Sequence, residues 1–389
     1  MSLRALKKLL TGNVIKAVLF INLVCFLSLT LQGLLTWQSL PSHSYTKSTD
    51  NSVFLYLNRI MTFSTVTPGN FTMNYLALKK IEQMKKELND SVLVNDTMFP
   101  AKRIGKYLLL DPDLCKSVDR VDIIIIVHTA PQNLDKRQRI RDSFAKASLF
   151  RPFDIRVAFL LGKTPNKTLE RVLWMEHARY NDTVMGDFND DYHNLSLKGV
   201  MGFRWVSEYC PNSEFVLKID DDILVNMFKL LYSFLNHMSG KKKSIFCNLW
   251  HSGSMPILRK GKWKVASHVF SSRTTFPYDY CSGFLVLMTT DLMKPMYEAS
   301  LTTPFFWIDD VYLFGMLPSV VGDVTYYNYG LDRNLTLDDK KAINCTRELG
   351  PRCPIFATFI RERNFWPYWD TIRGLYSSSI WQLEQKIIH

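Results

Sequence analysis

The chain has 389 residues, 47% of them hydrophobic, enough apolar material for one large domain or two small ones. Lys and Arg total 48 against 36 Asp and Glu, a net charge of +12 that suits phosphate-bearing or acidic partners. No GxxxxGK[ST], GxGxxG, CxxC or Cys/His ligand spacing occurs, so a phosphate loop and a Rossmann dinucleotide site have no support and a zinc centre is not expected.

Arg4, Lys7, Lys8 and Lys16 make residues 1–16 a basic tail. The apolar run Ala17 to Leu35 follows, about 28 Å long at helical rise. It is longer than the apolar region of a cleaved signal peptide, so residues 17–36 are expected to be a transmembrane signal anchor. The first acid is Asp50, so charge keeps the N-terminus cytosolic and sends the rest to the lumen. A short, moderately apolar span suits a thinner early-secretory or Golgi bilayer better than the plasma membrane. That topology excludes nucleic acid as a partner. It also leaves a charge of +8 beyond the span, after the four basic residues before it are removed.

Residues 37–115, rich in Ser, Thr and Asn, are expected to form a lumenal stem. A weak helical period runs through Leu76 to Asp90. Asn70, Asn89, Asn95, Asn166, Asn181, Asn334 and Asn344 are candidate N-glycosylation sites; an eighth sequon, Asn194, falls inside a motif and is assigned a structural role. Cys25 lies in the span. Cys115, Cys210, Cys247, Cys281, Cys345 and Cys353 form an even set suited to disulfides, and Cys345 and Cys353 are near enough to close a small loop.

Residues 116–389 are expected to be the catalytic domain. VDIIIIVHT (Val121 to Thr129) reads as a strand buried on both faces, and NLDKRQRIRDSFAKA as a basic helix. RVAFLLG (Arg156 to Gly162) is a second strand, KTLERVLWMEHARY a helix and Leu197 to Cys210 a third helix. FVLKID is again a strand. The alternation implies an α/β fold with a parallel sheet and a ligand beyond the strands' carboxyl ends. SIFCNLW, KWKVAS and Tyr280 to Thr290 read as further strands, DLMKPMYEASL as a helix, and FWIDDVYLFGML carries a second acidic pair, Asp309 and Asp310, before an apolar run.

The strand FVLKID runs straight into Asp220, Asp221 and Asp222. Adjacent carboxylates at the end of a buried strand need neutralising, and a hard divalent cation, Mn²⁺ or Mg²⁺, prefers oxygen ligands. A solvated acidic turn is the plain alternative.

Several motifs occur in one order: Arg137 to Phe144, Phe159 to Gly162, DFNDDYHNLSLK (Asp187 to Lys198), KIDDDILVN, Lys262 and Trp263, FPYDYCSGF, and Asp309-Asp310-Val311. In this set the chain resembles the inverting β-1,3-galactosyltransferases and β-1,3-N-acetylglucosaminyltransferases of the animal Golgi, relatives of Fringe. The resemblance covers about residues 120 to 335. It implies a GT-A-like nucleotide-sugar-binding fold, a UDP-sugar donor and Mn²⁺ on the diphosphate. It places the metal on Asp222, ribose and sugar contacts on Asp220 and Asp221, and the general base on Asp310. Arg137, Arg141 and Lys198 are candidates for positive potential near the diphosphate. Trp263, Tyr278 and Gly283 are candidates for acceptor or sugar contact with Asp309; Tyr280 and Trp307 are further stacking candidates. The implied partners are a glycan acceptor, the UDP-sugar and the Golgi membrane, and a homo-oligomer stays open.

The chain departs from the family's pattern in three ways. No His lies between His268 and His389, where many relatives carry a metal ligand; Asp309 stands for the commoner Glu; and the segment from KW to FPYDY is longer than usual. The first departure motivates a second reading, a catalytically silent lumenal binder of UDP or glycan acting as a chaperone. A glycosidase built on the two acidic clusters gives no reason for three adjacent acids or for the basic segments.

Overall fold

The computed structural model describes residues 104–376 apart from residue 332. The tail, the signal anchor, the stem helix, Cys25 and Asn70, Asn89 and Asn95 lie outside the described residues. Among those described, no helix is long and apolar enough to cross a membrane.

The strands in chain order are β1 (Tyr107–Leu109), β2 (Val121–His128), β3 (Ile155–Lys163), β4 (Thr183–Asn189), β5 (Ser213–Asp220), β6 (Ile223–Val225), β7 (Ser244–Trp250), β8 (Tyr280–Thr289), β9 (Thr325–Asn328), β10 (Leu335–Thr336) and β11 (Ala357–Phe359). Eight form one sheet in the order β1-β4-β3-β2-β5-β8-β7-β9, and β10-β11-β6 form a small second one. The helices are α1 (Leu134–Asp142), α2 (Lys167–Tyr180), α3 (Leu195–Tyr209), α4 (Met293–Ser300), α5 (Asp339–Leu349) and α6 (Glu362–Tyr376), with helical runs at 227–238 and 309–321.

Strand β2 shows why the sheet is covered twice. Ile124 and Ile126 point into one apolar cluster, shared with α3 and α4, while Ile123, Ile125 and Val127 point into a second, shared with α6. Successive side chains alternate faces, so a run of β-branched residues with no polar alternate demands cover on both. Each fully buried Ile contributes roughly 1.5–3 kcal/mol.

The half from β2 to β5 is parallel, as the alternation of strands and helices implies. The sheet as a whole is mixed, because β8 lies antiparallel between β5 and β7. The antiparallel part lies beyond Ser244, where the alternation of strands and helices ends, and β8 follows β7 through a loop that lets the chain double back. KWKVAS is not a strand. It lies in turns, mostly exposed, with the Lys264 N–H bonded to the Gly261 carbonyl. The basic helix is shorter than its sequence run, since Ser143 caps it by donating its hydroxyl to the Arg139 carbonyl. β1 falls inside the stretch expected to be stem, pairs with β4 and seats Tyr107 in the core, so the folded domain includes it.

Disulfides join Cys115 to Cys210, Cys247 to Cys281 and Cys345 to Cys353. The last is the pair picked out by closeness in sequence. The second ties β7 to β8, and the first ties the segment before β2 to the end of α3.

Candidate active site

β2 and β5 end side by side, with His128 opposite Asp220 in the register. Their carboxyl ends open into a cleft of about 830 Å³. Its wall includes Asp220 at the end of β5, Asp221 and Asp222 from the turn before β6, and Asp309 and Asp310 from the start of the 309–321 run. Residues 88 positions apart thus face one space.

The three adjacent aspartates are not equivalent. Asp221 is held by protein: Thr129 Oγ1 and Asn133 Nδ2 each donate at 2.7 Å and Lys136 Nζ at 2.6 Å. Its carboxylate pins the loop after β2 to the turn after β5. Asp220 accepts from Lys218 Nζ at 2.7 Å. Among the described residues, no hydrogen bond from another residue reaches the Asp222 carboxylate. Burial and then the charge of Asp220 push its carboxyl above the usual range, and Lys136 offsets part of this. A backbone bond from the Ile360 N–H to the Asp222 carbonyl, beside the β6–β11 pairing, fixes the turn.

Among the described residues, no group of three or more His, Cys, Asp or Glu side chains is arranged to hold a metal. One unpartnered carboxylate with an elevated pKa fits a different donor set: a hard cation bound through one carboxylate, with phosphate and water supplying the rest.

Asp310 receives the Gly283 N–H, yet its carboxyl is raised well above its ordinary value by burial and by Asp309. Asp309 is raised too, chiefly by burial, against the opposing charge of Lys218. Both lie in the first turn of a helical run, where the N-terminal dipole favours an acid. Gly283 has a specific purpose. A methyl group there would collide with Asp310 Oδ1, so the strand must be bare for the acid to sit against it.

Lys218 is the site residue most easily missed in the sequence. It is fully buried on β5, donates to Asp220 and, at 2.5 Å, to the Gly283 carbonyl. Burial disfavours its charge, but Asp220, Asp309 and Asp310 together hold its pKa above the ordinary value. It is therefore the cation between the two acidic clusters. The signal is a single Lys between Leu217 and Ile219, in an apolar run from Phe215 up to the acids. His128 is likewise buried in the wall, with neither ring nitrogen hydrogen-bonded; burial and then Lys218 and Lys198 keep it neutral.

The other expected site residues divide. Lys198 lines the cleft, but its Nζ already bonds the Thr129 carbonyl at 2.6 Å and Asp190 at 2.9 Å. Arg137 and Arg141 do not line it. Arg137 is buried against Glu176 and donates to the Ala130 and Pro131 carbonyls, while Arg141 joins Glu176 to Asp182. Arg137 thereby braces the loop after β2, and two buried acids, Glu176 and Asp182, take up the charge of the arginine pair. Trp263 lines the cleft, half exposed, with its Nε1 donating to Tyr192 Oη at 2.9 Å. Tyr278 does not line it; its ring packs edge-on to Phe270, and Tyr280 reaches the wall instead. Trp307 completes an aromatic bank with Tyr192 and His193.

Of the described sequons, Asn166 and Asn344 are exposed. Asn166 also caps α2, and Asn181 ends it in a left-handed turn. Asn334 Nδ2 donates to the Pro354 carbonyl. Asn194 donates to the Asn189 carbonyl at the start of α3, a structural task.

Residues 135–327 match a family model described as Galactosyltransferase. Beta-1,3-galactosyltransferase 1 of Mus musculus and of Homo sapiens are each 29% identical over 227 residues, 58% of this chain and 68% of theirs. Lactosylceramide 1,3-N-acetyl-beta-D-glucosaminyltransferase of Xenopus tropicalis is 31% identical over 249 residues, 62% of this chain and 65% of that one. Among solved structures, the galactosyltransferase LgtC in complex with donor and acceptor sugar analogs overlays with a TM-score of 0.33 and 13% identity, over 67% of this chain and 99% of that chain.

Proposed function

We propose, from its match to the Galactosyltransferase family model and its similarity to β-1,3-galactosyl- and N-acetylglucosaminyltransferases, that the chain moves galactose, or N-acetylglucosamine, from a UDP-sugar to a glycan hydroxyl in β-1,3 linkage with inversion. The fold would then be GT-A-like, with β2 to β5 receiving the nucleotide. Residues 17–36 would anchor it in the Golgi membrane with this domain in the lumen. The observation that carries the reading is that Asp222 and Asp310, distant in sequence, line one cleft with Lys218 between their clusters.

Asp222 is the residue that would hold Mn²⁺ or Mg²⁺, whose chemistry is to neutralise the leaving diphosphate. Asp310 takes the proton from the acceptor hydroxyl. The freed oxygen pair forms the new bond to the anomeric carbon as the old carbon–oxygen bond breaks, and UDP leaves with that electron pair. A raised pKa makes Asp310 a stronger base than an ordinary carboxylate. Lys218 keeps two acidic groups tolerable in one half-closed space. Positioning by the protein supplies most of the remaining rate.

The test uses the full chain in detergent with UDP-galactose and UDP-N-acetylglucosamine, each with a panel of glycan acceptors, and reads the product by NMR. A β-linked, 1→3 product is expected; an α-linked product, or none from any donor, would remove the proposal. The silent-binder reading has one observation in its favour, since protein groups occupy Asp220 and Asp221. Thermal stabilisation by UDP and Mn²⁺ without turnover would select it.

A further inference from the structure

No acid occurs between Asp222 and Asp279, while nine Lys and Arg do: Lys229, Lys241, Lys242, Lys243, Arg259, Lys260, Lys262, Lys264 and Arg273. Five of them fall in one excursion between β7 and β8. It is closed at its base where the Phe276 N–H bonds the Met255 carbonyl and Pro256 bridges Thr275. Arg259 organises it from within, donating to the Ala266, Val269 and Phe270 carbonyls. Lys260, Lys262, Lys264 and Arg273 are exposed, and no ion pair to any of them occurs among the described residues. Asp279, the next acid, accepts from the Ser252 N–H and faces His251.

The loop sits beside the place an acceptor must occupy. Leu258 and Trp263 line the cleft, and Trp263 is bonded to Tyr192. Lys262 Nζ lies 4.5 Å from the centre of the Tyr192 ring. Tyr192 in turn meets Trp307, which stands two residues before Asp309 on the wall that carries the base. An acceptor hydroxyl must reach Asp310, so the sugar bearing it lies along this aromatic bank, and its neighbours reach the basic loop.

We propose that the acceptor is an anionic glycan, bearing sulfate or carboxylate near the acceptor sugar, and that Lys260, Lys264 and Arg273 recognise that charge while Trp263 stacks on the sugar. The inference rests on the transferase reading above and narrows it. Uncompensated cations on one loop raise the local concentration of anions and steer them in. Their attraction weakens as salt rises, with a screening length of about 10 Å at 0.1 M.

The experiment compares acceptor KM for an N-acetyllactosamine glycoside and its 6-sulfated counterpart, using the full chain in neutral detergent. At low salt the sulfated form is expected to have a KM about tenfold lower, a gap that closes at high salt. The triple variant K260E/K264E/R273E should abolish the gap and leave the donor KM unchanged, with circular dichroism checking the fold. Equal KM values, or a gap that survives the variant, would overturn the proposal. So would binding to phosphatidylserine vesicles that the variant abolishes without any acceptor preference, which would assign the loop to a membrane. Direct titration of the sulfated glycoside needs no turnover and separates the two readings. Binding without transfer keeps the anionic surface and removes the enzyme; transfer to the neutral acceptor without binding of the sulfated one keeps the enzyme and removes the surface.

Discussion

Asp310 and Gly283 form a unit at the scale of single residues. The acid sits where burial and Asp309 raise its pKa, and it can sit there because position 283 has no side chain. Only the ionised form accepts a proton, so kcat/KM should fall as pH drops through that raised value, with an acid limb above the ordinary carboxylate range. The Asp310→Asn variant should lose about 10²- to 10⁴-fold in rate. A folded-state pKa above the unfolded one means Asp310 contributes stability at low pH that is lost as pH rises through the raised value. The same variant should therefore be as stable as the parent, or more so, in alkaline buffer, read as Tm against pH. Gly283→Ala should melt close to the parent yet lose most transfer, because the methyl displaces the acid. Full activity in that variant would contradict the contact.

At the scale of elements, α1, α2 and the loop after β2 are joined by a buried charge network. Burial alone would raise the Glu176 carboxyl, but Arg137 and Arg141 overcome it and hold it below its usual value. Glu176→Gln leaves two buried guanidinium groups short of a counter-charge, at a cost of about 3–5 kcal/mol in stability by denaturant titration. The sequence displayed these arginines but not their partners. Their spacing on one helix is a local property, whereas Glu176 and Asp182 come from the far end of α2 and the turn beyond it. Strands told the same story. β2 and β5 were legible because an apolar run buried on both faces has a local signature. β8 was legible as a strand but not in direction, which depends on what it pairs with. KWKVAS reads as a strand in the sequence but lies in turns, where Arg259 claims the carbonyls of Val265 and Ala266.

For the described domain as a whole, the acidic clusters were legible as motifs, and the sheet brings them to one cleft. The sequence could not show which of three adjacent aspartates is unencumbered. That depends on Thr129, Asn133 and Lys136, all about ninety positions away, choosing Asp221. Lys218 stands out in the sequence as a lone cation in an apolar run, but its role is readable only once β8 brings the Gly283 carbonyl beside it. The central claim is a division of labour across the cleft, with Asp222 serving the diphosphate and Asp310 the acceptor. Manganese-dependent UDP affinity, titrated in parallel for the parent, Asp222→Asn and Asp310→Asn, tests this division most directly. The account predicts that Asp222→Asn loses that affinity about tenfold or more while Asp310→Asn keeps it and loses only transfer. Unchanged manganese-dependent affinity in Asp222→Asn would contradict it.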